Sequence, residues 1–259
     1  MSKPLILVTN DDGITAPGLR TLVSLMNQLG EVYVVAPDSP QSGMGHAITL
    51  DSTLYSKRMR QDMAHPNVVE YSCSGTPADC VKLALKEILP RRPDLCVSGI
   101  NHGANHSINV LYSGTMSAAV EAGIEGVPAI GFSLCDYNWN ANFEPGSDLV
   151  KTIVEQALEH PMPKDVVLNV NIPDLPKEAL KGIKVCRQAR ANWNEKFDKR
   201  TNPNGKDYYW LTGRFELLDE GQDTDVWALE QGYVSVVPTQ FDLTAHHAIR
   251  ELNQWDFGP

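Results

Sequence analysis

Two adjacent carboxylates near the start of the chain are the residues best suited to chemistry. Asp11 and Asp12 follow the apolar run from Leu5 to Thr9. On a regular strand their side chains would point to opposite faces, so both can address one ion only where the strand has ended and the chain turns, as Gly13 allows. Crowded carboxylates repel unless a cation lies between them, and oxygen ligands favour Mg²⁺ or Mn²⁺. The segment predicts a divalent metal site; the alternative is that one Asp caps the following helix and the other is solvated.

Three further segments offer neutral ligands and anion-binding groups. The loop at 36–46 is rich in Gly, Ser and Pro, and it presents backbone N–H groups and the hydroxyl of Ser42. Asn101 ends another apolar run and carries an amide oxygen, a suitable ligand for a hard ion. The segment at 112–117 places hydroxyls and a Gly where a helix begins, a position that favours phosphate, although an ordinary Ser or Thr N-cap is the alternative. Together these groups suit metal-assisted displacement at phosphorus.

Composition limits the class of protein. The chain has 259 residues, of which 42% are hydrophobic and 21% charged, as expected for one large α/β domain or a domain with an arm. A formal charge of −10 argues against stable binding to nucleic acid, whose phosphates are held by clustered Lys and Arg. The five cysteines include no CxxC pair and indicate a reduced, cytoplasmic protein. We expect no signal peptide and no membrane span.

The elements that must position these residues alternate between strands and helices. Apolar runs at 5–9, 31–36, 94–98, 128–133 and 166–172 predict strands. Helical patterns begin at Pro17, after Thr76, near Ser113 and at Leu149, the second of them extending to about Leu89. This βαβ rhythm predicts a doubly wound, mostly parallel, Rossmann-like sheet, whose ligands gather at the carboxyl ends of the strands.

The sequence changes in character after about Gln188. Aromatic and Gly-punctuated stretches at 207–213 and 232–238 predict hairpins, the polar stretch at 192–206 predicts an extended loop, and a helix is expected at 248–255. We therefore expect a catalytic core over 1–187 and a C-terminal hairpin and helix arm over 188–259. Such an arm often packs on a neighbouring subunit.

Several motifs in order resemble those of the SurE family of survival proteins, which are divalent-metal-dependent nucleoside-monophosphate phosphatases. The resemblance extends along nearly the whole chain. Its motifs are Thr9-Asn-Asp-Asp-Gly, Val35-Ala-Pro-Asp with Ser42-Gly, Ser74-Gly-Thr-Pro-Ala-Asp-Cys80, Val97-Ser-Gly-Ile-Asn101, Tyr112-Ser-Gly-Thr115 and Asn169-Val-Asn-Ile-Pro-Asp-Leu-Pro.

The resemblance implies residue roles. It implies that one divalent ion per subunit, Mg²⁺ or Mn²⁺, is bound by a set of four residues: Asp11, Asp12, Ser42 and Asn101. It implies that the phosphate is held by a second set: Gly43, Asn105, Ser113, Gly114 and Thr115. It also implies a homodimer or homotetramer built by exchange of the C-terminal arm. The family usually has an Asp where this chain has Asn109, which leaves the metal ligands untouched.

The catalytic mechanism implied is hydrolysis of a phosphate monoester by Asp11 and Asp12 with metal-bound water. The sequence leaves open which Asp takes the proton, or whether Asp11 attacks directly. It also leaves open the base, the choice between 5′ and 3′ phosphate, and activity on another small phosphoester or short polyphosphate.

Other classes fit the sequence less well. A dehydrogenase would need a GxGxxG turn in place of Asn10-Asp-Asp-Gly13. A haloacid-dehalogenase-type phosphatase would space its two acids one residue apart. His102 and His106 have a zinc-like spacing, but Gly103 interrupts it and no third ligand lies nearby. The serious alternative is a non-catalytic nucleotide-binding module, because binding and hydrolysis use the same contacts.

Overall fold

The computed structural model describes residues 3–60 and 65–258, and nine of its strands form one sheet. The strands are β1 (Leu5–Thr9), β2 (Glu31–Pro37), β3 (Ser56–Arg58), β4 (Val69–Cys73), β5 (Leu95–His102), β6 (Ala129–Leu134), β7 (Val166–Ile172), β8 (Ile183–Val185), β9 (Ala191–Thr201), β10 (Asp207–Leu217) and β11 (Val234–Gln240). The α-helices are α1 (Pro17–Met26), α2 (Pro77–Leu83), α3 (Gly114–Ile124), α4 (Ser147–Glu159), α5 (Asp225–Glu230) and α6 (His246–Leu252).

The central sheet has the strand order β3-β4-β2-β1-β5-β6-β7-β11-β8. Strands β4, β2, β1, β5, β6 and β7 are mutually parallel. Two pairings are antiparallel, that of β3 with β4 and that of β11 with β7. The order runs outward in both directions from β1, so the predicted doubly wound, mostly parallel sheet is confirmed.

Helices cover both faces of the sheet because its inner strands are apolar on both sides. In β1, Ile6 and Val8 join the cluster that contains α1 and α4 residues. Leu7, between them, joins the cluster on the opposite face with α2 and α3 residues. Side chains alternate along a strand, and a strand buried on both faces therefore reads as one continuous apolar run.

The carboxyl ends of β1 and β5 meet at one edge of the sheet. Thr9, the last residue of β1, pairs with Ser98 in parallel register, and β5 continues to His102. The strand predicted over 94–98 is thus longer than expected and carries Asn101 within it. Asp11 and Asp12 lie beyond the end of β1, where the chain bends. This edge is the place at which ligands of doubly wound sheets are found.

Two expectations for the C-terminal part are wrong. The segment at 192–206, predicted as a loop, is mostly strand β9, which pairs with β10 in a long hairpin. Most of β9 is exposed, and only Ala191, Trp193 and Phe197 among its eleven residues are apolar, so apolar alternation marks this strand only weakly. The stretch at 232–238, predicted as a hairpin, instead carries β11, which lies between β7 and β8 in the central sheet. The sheet therefore extends past residue 187, the predicted end of the core.

The helix limits also differ from the sequence expectations. Thr76 and Asp79 form the predicted capping box of α2, but α2 ends at Leu83 and a π-helical turn over Ala84–Ile88 follows. The terminal helix, expected at 248–255, is α6 at His246–Leu252. Within residues 3–60 and 65–258, no helix is both long and apolar enough to cross a membrane.

Candidate active site

Asp11 is buried beneath the start of α3. Its side chain is 3% exposed, and its Oδ1 accepts a hydrogen bond from the hydroxyl of Thr115. A Cβ on Gly114 would lie 2.7 Å from the Cβ of Asp11 and 2.8 Å from its Oδ2. Only glycine permits this approach, and its missing side chain keeps space open over Oδ2. The aspartate and the helix end, separated by a hundred residues in the chain, thus form one site.

The electrostatics of Asp11 reflect this position. Burial raises its pKa from 3.8 to about 6, and the neighbouring charge of Asp12 adds to the rise. Hydrogen bonds from the hydroxyl and the backbone of Thr115 oppose the rise in pKa. A raised pKa means that the surroundings do not fully compensate the negative charge of the carboxylate. A bound cation would supply the missing positive charge.

We expect the free energy of unfolding of the metal-free protein to decrease as the pH rises, because of Asp11. The folded state holds this proton between about pH 4 and pH 6, where the unfolded chain has released it. The free energy of unfolding should therefore drop by about 3 kcal/mol across that range and stay lower above it. Urea unfolding in EDTA, compared with Asp11→Asn at each pH, isolates this contribution. A difference between the two proteins that stays constant from acid to neutral pH would contradict the assignment.

Asp12 lies next to Asp11 and is held by His102. Its side chain is 9% exposed, and its Oδ2 accepts hydrogen bonds from Nδ1 of His102 at 2.9 Å and from the backbone N–H of His102 at 3.2 Å. The imidazole is itself fixed by two rings: it stacks on Trp139 at 5.1 Å and meets the edge of Phe143 at 5.0 Å. The direction of the Asp12 carboxylate is therefore set by β5.

Sequence reasoning missed the role of His102. It was weighed only as half of a zinc pair with His106. The two rings diverge in the structure, since His106 packs against Phe215 at 5.1 Å. No residue spacing pointed to the contact with Asp12, because 90 residues separate the partners. Adjacency of His102 to Asn101, a predicted ligand at a strand end, is the one local signal that was present.

The loop that carries Ser42 and Gly43 reaches the same edge of the sheet. The backbone N–H of Gln41 donates to the carbonyl oxygen of Asp11 at 2.7 Å, and that of Gly45 donates to the carbonyl of Tyr112 at 3.3 Å. Ser42 and Gly43 lie between these two anchors, and both are exposed. Gly43 has a φ of +73° and open space around it. The loop therefore bridges the end of β1 and the start of α3.

Two side-chain contacts hold the far part of this loop against helices α2 and α3. Nε2 of His46 contacts Oε2 of the buried Glu121 at 2.8 Å, and Glu121 also binds Nζ of Lys82 at 2.6 Å. The hydroxyl of Thr49 donates to Asp79 at 2.6 Å. The exposed Ser42, a predicted metal ligand, thus lies on a segment whose ends are fixed.

Asn101 and Asn105 have different surroundings. Nδ2 of Asn101 donates to the carbonyl of Gly103 at 2.8 Å, which leaves the amide oxygen as the group available to a metal. Asn105 is held by β6 and β7: its Nδ2 donates to the hydroxyl of Ser133 at 2.8 Å, and its backbone N–H donates to Asn171 at 2.7 Å. Within the described ranges, no hydrogen bond joins Asn105 to either aspartate. Its predicted role in phosphate binding stays a prediction.

The start of α3 combines an N-cap with an open helix end. The hydroxyl of Ser113 accepts a hydrogen bond from the backbone N–H of Met116 at 3.0 Å, so for this hydroxyl the ordinary N-cap interpretation is correct. Thr115 uses its hydroxyl on Asp11. The backbone of Gly114 and Thr115 forms the first turn, where the helix dipole favours an anion.

The donor set fits a hard divalent cation. Asp11 and Asp12 are both buried, and in the part of the chain that the structure describes neither forms an ion pair with a Lys or Arg. The same residues contain no group of three or more His, Cys, Asp or Glu arranged to hold a metal. A metal at the two aspartates therefore needs neutral oxygen ligands, and Asn101 and Ser42 offer them.

Comparison with known proteins agrees with this geometry. A family model described as survival protein SurE matches residues 6–195. The chain is 66% identical over 256 residues to a protein of Flavobacterium psychrophilum named 5′-nucleotidase SurE, with 99% of each chain covered. It is 68% identical over 253 residues to a protein of the same name from Christiangramia forsetii, covering 98% of this chain and 97% of that one.

A solved structure shares the fold as well as the sequence. The crystal structure of the SurE protein from Aquifex aeolicus superposes with a TM-score of 0.83 at 39% identity, covering 96% of this chain and 98% of that chain. Sequence and architecture thus agree over 96% of this chain. The protein belongs to the SurE family.

Proposed function

We propose that this chain is a 5′-nucleotidase, a metal-dependent phosphatase that hydrolyses nucleoside monophosphates to nucleoside and phosphate. The observation that carries the proposal is the burial of Asp11 and Asp12 side by side against the first turn of α3. One edge of the sheet thus offers carboxylates for a cation and a helix end for an anion. The names of the close relatives support the same activity.

The metal ligands proposed are Asp11, Asp12, Ser42 and Asn101, around one Mg²⁺ or Mn²⁺ per subunit. Such an ion, when bound, polarises a phosphoryl oxygen and lowers the pKa of bound water. The chain orients the site itself. Thr115 fixes Oδ1 of Asp11, His102 fixes Oδ2 of Asp12, and Gly103 engages the amide nitrogen of Asn101. Each of these contacts leaves one oxygen of the side chain for the ion: the second carboxylate oxygen of each aspartate and the amide oxygen of Asn101.

The phosphate is proposed to lie at the start of α3, with Gly114 and Thr115 presenting backbone to it and Ser113 capping the helix. Gly43 approaches from the loop anchored at Gln41 and Gly45. Asn105 is the last member of this proposed set. Its hydrogen bonds to side chains of β6 and β7 hold it in place. These groups are neutral. Their dipoles stabilise the negative charge that develops on the phosphoryl oxygens without adding a positive charge.

Phosphate release from a panel of nucleoside monophosphates tests the proposal. We expect release from 5′-monophosphates with Mn²⁺ or Mg²⁺ and none with EDTA. The 3′-monophosphates and short polyphosphate belong in the same panel because the sequence leaves these substrates open. Tight binding of intact nucleotide with no phosphate release would identify a binding module and refute the activity.

We also propose that the chain forms a homodimer or homotetramer through its C-terminal hairpin. The β9–β10 hairpin presents Phe197, Tyr209, Trp210 and Leu211, each more than half exposed. Large apolar side chains grouped on one exposed element mark an interaction surface. Strand β11 is not part of this surface, because it lies in the central sheet.

Removal of the hairpin tests the assembly without removing a strand of the sheet. The backbone N–H of Leu218 donates to the carbonyl of Arg190 at 2.9 Å, so two glycines can replace residues 191–217 with little strain. We expect the shortened chain to sediment as a monomer and the full chain as a dimer or tetramer. Truncation at Gln188 would be a poor test because it deletes β11. Identical sedimentation of the shortened and full chains would refute the role of the hairpin.

We propose the cytoplasm as the compartment. All five cysteines are free and none is exposed, as is usual for proteins kept in reducing surroundings. Their thiols also lack the spacing of a disulfide framework.

A further inference from the structure

An aromatic side chain lies open to solvent beside the candidate active site. Trp139 is 55% exposed, although it follows a strand that is buried throughout. One face of its indole is covered by the imidazole of His102, with 5.1 Å between ring centroids and 9° between the planes. More than half of the residue stays exposed despite this stack. The indole therefore offers a large aromatic surface next to the candidate site.

Trp139 is held in place by more than this stack. The surrounding loop is shaped by backbone hydrogen bonds to the side chains of Asp136 and Asn138, each 2.9 Å long. The backbone N–H of Gly103 donates to the carbonyl of Asp136 at 2.9 Å, which ties this loop to the end of β5. The indole is therefore fixed relative to Asn101 and His102.

Only one side chain separates Trp139 from the proposed metal ligands. Asp12 contacts His102, and His102 stacks on Trp139. A nucleoside monophosphate is arranged in a similar way, because its ribose separates the phosphate from the base as His102 separates Asp12 from Trp139. A surface for the base must accordingly lie a short distance to one side of the phosphate, and Trp139 occupies such a position.

We propose that the exposed indole of Trp139 is the surface on which the nucleobase of the substrate stacks. The proposal rests on the nucleotidase function proposed above and assigns the part of the site that recognises the nucleoside. Base–aromatic stacking tolerates every base because each has a π-face. The chain would consequently accept purine and pyrimidine nucleotides, with purines bound more tightly because they cover more of the indole.

Tyr137 lies next to this surface. Its ring packs over the backbone of Gly103, where a Cβ would lie 2.3 Å from Cε1 of the ring. Tyr137 is 71% exposed. It forms a second aromatic wall at the edge of the site, and a side chain at position 103 would displace it.

The test compares a nucleotide with a substrate that lacks a base. AMP and ribose 5-phosphate share the reacting phosphate and the sugar, and only AMP can stack. We expect Trp139→Ala to lower kcat/KM for AMP by about 10- to 100-fold, the loss that removal of one base–aromatic stack produces. The value for ribose 5-phosphate should fall much less, because any loosening of His102 affects both substrates equally and the stack is lost only with AMP. Trp139→Phe should restore most of the activity on AMP, and Trp255→Ala, which removes another exposed Trp, serves as the matched control.

The possible outcomes separate this proposal from the function on which it rests. Equal losses on AMP and ribose 5-phosphate would show that Trp139 acts only by supporting His102 and would overturn the stacking proposal. Unchanged activity on AMP would overturn it as well. If the unaltered protein releases phosphate from neither compound with Mn²⁺, the nucleotidase function itself fails. AMP binding to the otherwise unaltered protein, measured by equilibrium dialysis with and without Trp139→Ala, then decides whether the stacking surface exists: weaker binding without the indole supports it, and equal binding overturns it.

Discussion

Replacing Asp11 with Asn is expected to reduce metal-dependent phosphate release by at least about 1,000-fold. The change removes one of two buried carboxylates and leaves the bulk of the side chain in place. Lewis-acid stabilisation by a metal contributes several kcal/mol in the transition state, and a loss of about 4 kcal/mol corresponds to this factor. The remaining amide oxygen still accepts the hydrogen bond from Thr115, so the start of α3 keeps its position.

Stability measurements separate loss of chemistry from loss of fold in this variant. The pKa of Asp11 is raised by burial, so its charge destabilises the metal-free protein at neutral pH. Asp11→Asn should therefore melt at the same temperature as the unaltered protein in EDTA, or higher. Asp51→Asn removes an exposed carboxylate and is the matched control, with unchanged turnover expected. If Asp11→Asn keeps full metal-dependent activity, the two aspartates are not the centre of the reaction.

Replacing His102 with Ala is expected to weaken Mn²⁺ binding by about 10- to 100-fold, the usual effect of losing a residue that orients a metal ligand. Nδ1 of His102 fixes the Asp12 carboxylate at 2.9 Å, and the imidazole is in turn held between Trp139 and Phe143. Without the ring, the hydrogen bond that remains to the Asp12 carboxylate from the described residues is the longer one, from the backbone N–H of residue 102. Mn²⁺ affinity can be read from the electron paramagnetic resonance signal of the free ion, which does not depend on turnover.

A second substitution at this position distinguishes the hydrogen bond from the ring packing. In His102→Asn, the side-chain amide nitrogen occupies nearly the place of Nδ1 and can donate to Asp12. We expect this variant to recover most of the Mn²⁺ affinity, although it lacks the stack on Trp139. If Asn binds Mn²⁺ as weakly as Ala does, the ring contacts matter and the hydrogen bond does not. Unchanged affinity in both variants would remove His102 from the site.

Much of the architecture followed from local patterns in the sequence. The apolar run at 5–9 predicted β1 because a strand buried on both faces needs no polar alternation. Thr76 and Asp79 predicted the start of α2, since a capping box involves residues only three apart. Asp11 and Asp12 were placed at the edge of the sheet because Gly13, with a φ of +102°, turns the chain directly after them.

Other features escaped the sequence because local patterns mark them weakly. Strand β9 has only three apolar residues among eleven, Ala191, Trp193 and Phe197, and its pairing with β10 makes it a strand. The stretch at 232–238 was predicted as a hairpin, but it carries β11, whose place between β7 and β8 is set by long-range pairing in the central sheet. The hairpin predicted at 207–213 is confirmed, since this stretch lies in β10, which pairs with β9.

The features of the candidate site also fall into those that the sequence determined and those that the tertiary structure decided. The sequence by itself determined the kinds of group at the strand ends: two carboxylates, an amide oxygen at Asn101 and a helix start at Ser113. Tertiary structure alone decided their contacts, bringing Thr115 to Asp11 across 104 residues and His102 to Asp12 across 90. Residue type fixes what a side chain can donate or accept, whereas its partner depends on strand order and on the close approach that Gly114 permits.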